Sequence, residues 1–209
     1  MPTRADQAGR TYGGRTAEER QALQRRSFLD AGLRLFGTLG YRATTVRALC
    51  KEAGLTDRYF YRNFDDMQAC LLAVYAEAVR GIETRVVEAL ATEPDDAHAA
   101  IVAGLTAFFE SFEDPRVARV AFLEVLGVSP EVDTAYARCI QRFVDLFVAF
   151  VHTRGGTSVD ATQLQYVAVG LVGAVIQSSM HWLLSGYKAN RADVVAANAR
   201  ILSATISAM

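Results

Sequence analysis

The chain has 209 residues, half of them apolar, a formal net charge of −1, three cysteines and four prolines. That is long enough to bury a sizeable core and too apolar for wholesale disorder. With no CxxC pair and one cysteine left over, a disulfide framework is excluded as the organising principle. The near-zero charge hides an asymmetry. Residues 1–64 carry twelve Lys/Arg against six Asp/Glu, a net of +6, and the remainder of the chain is net −7. The front of the chain is therefore built to meet a polyanion and the rear is not.

In chain order, residues 1–15 contain Gly and Arg without periodicity and read as a mobile tail. Its Arg4, Arg10 and Arg15 suit either a minor-groove arm or an idle solubilising tail. Thr16 and Glu19 have capping-box spacing and open a helix that Gly40 stops. Thr45 caps a short second helix, Val46 to Ala53, and Gly54 makes the turn. Thr56 caps a third, Asp57 to Asn63, with Asp57 placed to complement the positive end of its dipole. Asp65 and Asp66 open a fourth helix that runs to about Leu90. Further helices are expected at about 95–113, 115–127, 130–154, 160–186 and 191–208. No alternating run bounded by hairpin turns occurs, so the expectation is an all-α protein of about nine helices.

The second and third helices, joined through Gly54, have the dimensions of a helix-turn-helix. Phe60 and Phe64 lie four apart and suit the buried face, while Arg58, Tyr61 and Arg62 occupy other faces. Arginine can donate two parallel hydrogen bonds to guanine, and a tyrosine hydroxyl suits a phosphate. The same pattern also fits an amphipathic helix with a solvated charged face; the segregation of positive charge favours DNA.

The stretch FLDAGLRLFGTLGYRATTVRALCKEAGLTDRYFYRNFDDMQACLLAVY, residues 28–75, resembles the N-terminal domain of TetR-family transcriptional regulators. The lead-in to Tyr41, Thr44, Thr45 and Val46, the Ala53–Gly54 turn, and Tyr61 with Phe64 carry the likeness. The resemblance implies a DNA-binding domain at 16–65 and an effector-binding and dimerisation domain at 66–209, with 66–90 as the connecting helix. It implies a cytoplasmic homodimer, usually a repressor, on a palindromic double-stranded operator, released by a small apolar or amphipathic effector.

Carried over by position, Thr45 and Tyr61 would touch phosphates and Arg47 would read a base. Thr56, Asp57, Arg58, Tyr59 and Arg62 would face the groove, with Arg42 beside them. Met67 stands where many members have a phosphate-binding lysine, and Arg58 where a small residue is common.

In the rear, residues 160–186 are apolar nearly all round, so they need covering on all sides. Their longest nearly unbroken apolar run, Tyr166 to Ile176, is about half of the roughly 20 residues that span a bilayer, which argues against a membrane. Gly170 and Gly173, with Val195 and Leu202 of the last helix, are the expected dimer interface. Phe108, Phe112, Phe122, Phe143, Phe147 and Tyr166, with Gln177 and His181 as polar groups, are the candidate effector pocket.

No catalytic set, metal-ligand spacing, phosphate-binding loop or dinucleotide fingerprint is visible, so neither cofactor nor metal is expected. A helical small-molecule carrier or orphan enzyme without DNA binding is the competing class. It has no need of a segregated basic helix-turn-helix.

Overall fold

A computed structural model describes residues 16–92, 96–154 and 158–209. The expected tail at 1–15 lies outside them. The described residues form nine helices: α1 (Ala17–Thr38), α2 (Val46–Ala53), α3 (Asp57–Asn63), α4 (Met67–Ala91), α5 (Ala97–Glu110), α6 (Pro115–Phe122), α7 (Pro130–Thr153), α8 (Ala161–Leu184) and α9 (Arg191–Ser207). The chain divides into two compact units, one ending at Val74 and the other beginning at Tyr75, so α4 contributes residues to both.

The first unit is set by caps and rings. Thr16 and Glu19 form the reciprocal capping box of α1. Leu39 is the C-cap and Gly40, at φ 93°, turns the chain away. Thr45 Oγ1 accepts from the Ala48 N–H and starts α2. Gly54, at φ 66°, ends it in the left-handed conformation that glycine tolerates best. In α3 the expected cap differs: Thr56 makes no side-chain cap bond, and Asp57 Oδ1 accepts from the Arg58 N–H instead. Likewise α4 begins at Met67 rather than at the aspartates, with Asp66 Oδ1 accepting from the Ala69 N–H.

Phe28 packs edge-on against both Phe60 and Phe64, at ring-centroid distances of 5.6 and 6.1 Å. Arg25 stacks its guanidinium 4.7 Å from the Phe64 centroid and donates from Nη1 to the Asn63 carbonyl, tying α1 to the end of α3. Arg34 bridges to Glu52 and ties α1 to α2. Gly32 lies on α1 against Val74 of α4. A Cβ there would sit 2.6 Å from Val74 Cγ2.

In the second unit α5 packs on α9, and α8 on α7 and α9. Each of α5 to α9 opens on a capping Asp, Ser or Asn: Asp96, Asp114, Ser129, Asp160 and Asn190. The sixth helix, expected to reach 127, stops at Phe122. Glu124 turns back to pair with Arg119, and Gly127, at φ 67°, donates its N–H to Asp133. The turn after α8 carries Tyr187 at φ 58°, with its hydroxyl donating to the Phe112 carbonyl and Trp182 Nε1 donating to the Ala189 carbonyl.

The apolar run Tyr166 to Ile176 lies inside the longer α8. By length and composition that helix is apolar enough to cross a bilayer, and 28% of its apolar window is buried in the protomer. The bilayer argument from the unbroken run alone was therefore too narrow. What α8 demands is cover for an apolar outer face.

Candidate nucleic-acid interface and ligand cavity

On α3, Phe60 is buried, and the 100° turn per residue then sends Arg58 and Arg62 to the opposite side, with Tyr61 on the flank and Asp57 in the open first turn. All four are exposed, Tyr61 at 60%. Tyr59 is half-buried at the edge of this face, and its carbonyl accepts from Asn63 Nδ2. On α2 the same geometry buries Leu49 and Cys50 and turns Arg47 outward with Lys51, one turn on. Lys51 is a cation that the sequence reading passed over, although its spacing from Arg47 was the available signal. Arg42, Thr45 and Thr56 are exposed at the turns that lead into the two helices.

Charge pairing marks this face out. Among the described residues, Arg80, Arg116, Arg119, Arg142 and Arg191 of the second unit are each in an ion pair with a carboxylate. Arg42, Arg47, Lys51, Arg58 and Arg62 are in none. Five exposed, unpaired cations around two short helices, held from beneath by Phe60 and Phe64, form a surface that can neutralise phosphates and reach base edges.

The second unit encloses a cavity of about 140 Å³. Tyr75, Val79, Ile82, Val86 and Leu90 form its α4 wall, a stripe about 22 Å long at 1.5 Å per residue. Phe108 enters from α5 and Phe112 from the turn after it, Phe122 from α6, and Phe143 and Phe147 from α7, so these five expected pocket residues do come together. Tyr166, Gln177 and His181 do not. They lie exposed on α8, Tyr166 at 74%, because the inward stripe of that helix is Leu164, Ala168, Leu171 and Val175.

The polar groups of the cavity are ones that sequence reasoning missed: Tyr75, Tyr136 and Cys139. Burial pushes all three above their ordinary pKa, so they stay protonated and uncharged at neutral pH. The signal that could have found Tyr75 was its place at the head of the apolar 75/79/82/86/90 stripe.

Of the expected dimer residues, Gly170 and Gly173 are exposed, and a Cβ on either would meet no atom within 4 Å. Val195 and Leu202 face inward instead. Both are buried in the core of their own protomer, and Leu202 borders the cavity. The 3.6-residue period placed them on the apolar side of α9 without showing that α5 already covers that side.

The sequence pattern described as bacterial regulatory proteins, tetR family, matches residues 28–74, which hold α2, α3 and their supports. That match, with the relatives below, supports a TetR-family transcriptional regulator. It is 28% identical over 150 residues to the HTH-type transcriptional regulator EthR of Mycolicibacterium smegmatis, covering 71% of this chain and 69% of that one. Against the HTH-type transcriptional activator FasR of the same organism it is 26% identical over 161 residues, 77% and 72% of the two chains. Among solved structures, the transcriptional regulator FadR from Bacillus subtilis in complex with stearoyl-CoA is similar in fold. It has a TM-score of 0.72 at 16% identity and covers 85% of this chain and 96% of its own. A regulatory protein of the tetR family from Rhodococcus RHA1 scores 0.64 at 18% identity, covering 86% and 94%. These proteins share the TetR all-α architecture with an N-terminal helix-turn-helix.

Proposed function

We propose that this TetR-family regulator is a cytoplasmic repressor that binds a palindromic operator as a homodimer and releases it when an apolar small molecule fills the cavity. The unpaired cations on the α2–α3 face carry this reading. In it Arg47, Arg58 and Arg62 read or border base edges, while Thr45, Tyr61, Lys51 and Arg42 hold phosphates. Thr56, Asp57 and Tyr59 complete the groove-facing side, and Thr56 is helped by a hydroxyl that makes no cap bond.

The exposed apolar face of α8 supports the dimer: Val169, Leu184 at 68% exposure, and two glycines with open space above them. A second copy related by a two-fold axis would cover that face and leave a four-helix bundle of α8 and α9. The apolar cavity supports the effector, and FadR, a similar fold, is in complex with stearoyl-CoA. The continuous α4 gives such a ligand a lever, since the helix that lines the cavity also supplies Cys70, Leu71 and Val74 to the core of the first unit.

The test is selection of bound fragments from random DNA, followed by a promoter reporter carrying the selected site. The expected product is an inverted repeat with half-sites about one helical turn apart. The reporter should be silenced by the protein, and the FasR relative, named an activator, shows why its sign has to be read. Selection of no repeat, or activation of the reporter, overturns the proposal in its DNA-binding or its repressor part respectively.

A further inference from the structure

Tyr75 is 3% exposed, and its hydroxyl is buried with no hydrogen-bond partner among the described residues. It stands at one end of the cavity, with Tyr136 and Cys139 beside it on α7. The Cys139 thiol lies near enough to interact with the Tyr75 hydroxyl, but sulfur is only a weak acceptor and no hydrogen bond of ordinary geometry joins the two, so the hydroxyl has no oxygen or nitrogen partner. A buried hydroxyl left unpaired is costly, and one that borders a cavity can recover that cost from a ligand.

The remaining wall is aliphatic and aromatic, without a lysine, arginine or histidine. The guanidinium whose field reaches Tyr75 and Cys139 is that of Arg142, and it is held by Glu83 at 3.1 Å. An anionic head group would therefore lose its water without gaining a counter-charge. A plain hydrocarbon would leave the Tyr75 hydroxyl unpaired, and a polyol would bring more polar groups than the wall can satisfy.

We propose that the cavity selects an uncharged, mainly apolar ligand whose one acceptor oxygen, a ketone, ester or thioester carbonyl, takes the Tyr75 hydroxyl hydrogen bond. This rests on the cavity being the effector site. The phenol serves as a donor because burial keeps it protonated far into the alkaline range. The size is consistent: an apolar cavity of about 150 Å³ holds benzene, so this one admits a small ring or a slender chain without rearrangement.

Three isosteric probes separate the possibilities: acetophenone (neutral carbonyl), benzoate (anion) and cumene (hydrocarbon). Binding to the full-length protein and to Tyr75→Phe is measured by calorimetry. Acetophenone should lose about fivefold in affinity on Tyr75→Phe, while cumene is unchanged or binds more tightly and benzoate does not bind either protein.

A second measurement needs no variant. The infrared carbonyl stretch of isotope-labelled acetophenone in the wild-type protein should lie below its frequency in hexane. A hexane-like stretch, benzoate binding as well as acetophenone, or equal effects of Tyr75→Phe on acetophenone and cumene overturns the proposal. If cumene and acetophenone bind alike and both release the selected operator, the effector reading survives and the Tyr75 acceptor fails. If no probe binds, both fall.

Discussion

The two units use phenylalanine for opposite ends. In the first, Phe28 meets Phe60 and Phe64 edge to face, Phe36 meets Tyr41 the same way, and all four phenylalanines are buried, so that two short helices stand on a ring cluster. In the second, Phe108, Phe112, Phe122, Phe143 and Phe147 surround a space and leave it open. The charges lean the same way: among the described residues, the five cations of the α2–α3 face are in no ion pair, while at least five of the ten in the second unit are in one. Composition alone does not separate a packed core from a ligand cavity. The separation comes from whether the facing helix fills the gap.

The largest effect that would break this comparison is at the surface of α8. A Cβ at Gly173 meets no atom within 4 Å in its own protomer, so Gly173→Arg should leave the chain folded by circular dichroism. Sedimentation should show monomers, because the new charge enters an apolar crossing without a partner, and operator binding should be lost. A folded, dimeric variant would place the interface elsewhere.

Next come two glycines that differ only in their unit. In Gly32→Ala the new methyl lands 2.6 Å from the stiff, β-branched Val74 inside the filled core, and it should cost about 1–3 kcal/mol of stability. In Gly104→Ala it lands 2.8 Å from the end of the Leu90 side chain, which borders the cavity and can swing into it. Its thermal midpoint should move little, while binding of cavity probes weakens. Equal destabilisation of the two variants would mean that the second unit is as tightly filled as the first.

On the DNA face, Arg47→Ala should cost about 1–3 kcal/mol on the selected operator and relax preference at one position per half-site. Tyr61→Phe should weaken matched and mismatched sites alike. A change in base preference with Tyr61→Phe would mean that α3 is rotated in the groove. The smallest effect is at Met67, the first residue of α4, where Asp66 already caps the helix. Met67→Lys should raise affinity for all DNA and steepen the slope of log affinity against log salt by about 1 per subunit engaged. An unchanged slope would place residue 67 away from the phosphates.

The first unit was legible in the sequence almost residue by residue, because local signals decide it. Thr45 and Gly54 bound α2, and the Phe60–Phe64 spacing orients α3. Where it misled, Thr56 holds the N-cap place of α3 without a side-chain bond, and the Asp57 carboxylate accepts from the next N–H instead. The second unit was legible as helices but less so as a site. The position of Tyr166, Gln177 and His181 depends on which side of α8 meets α7 and α9, and a helix apolar all round gives no sign of it. Val195 and Leu202 turned inward for the same reason, since α5 claims their face. Tyr75 was hidden because one polar group at the end of an apolar stripe gains meaning only when its hydroxyl is seen to lack a partner.

The central claim is that the open unit governs the filled one. Its most direct measurement is a reciprocal titration with two arms. Operator affinity is measured with and without saturating acetophenone, and acetophenone affinity with and without saturating operator. The account predicts that both fall by the same factor, on the order of 5- to 150-fold, as linkage requires of two coupled sites. Tight acetophenone binding that leaves operator affinity untouched would contradict it.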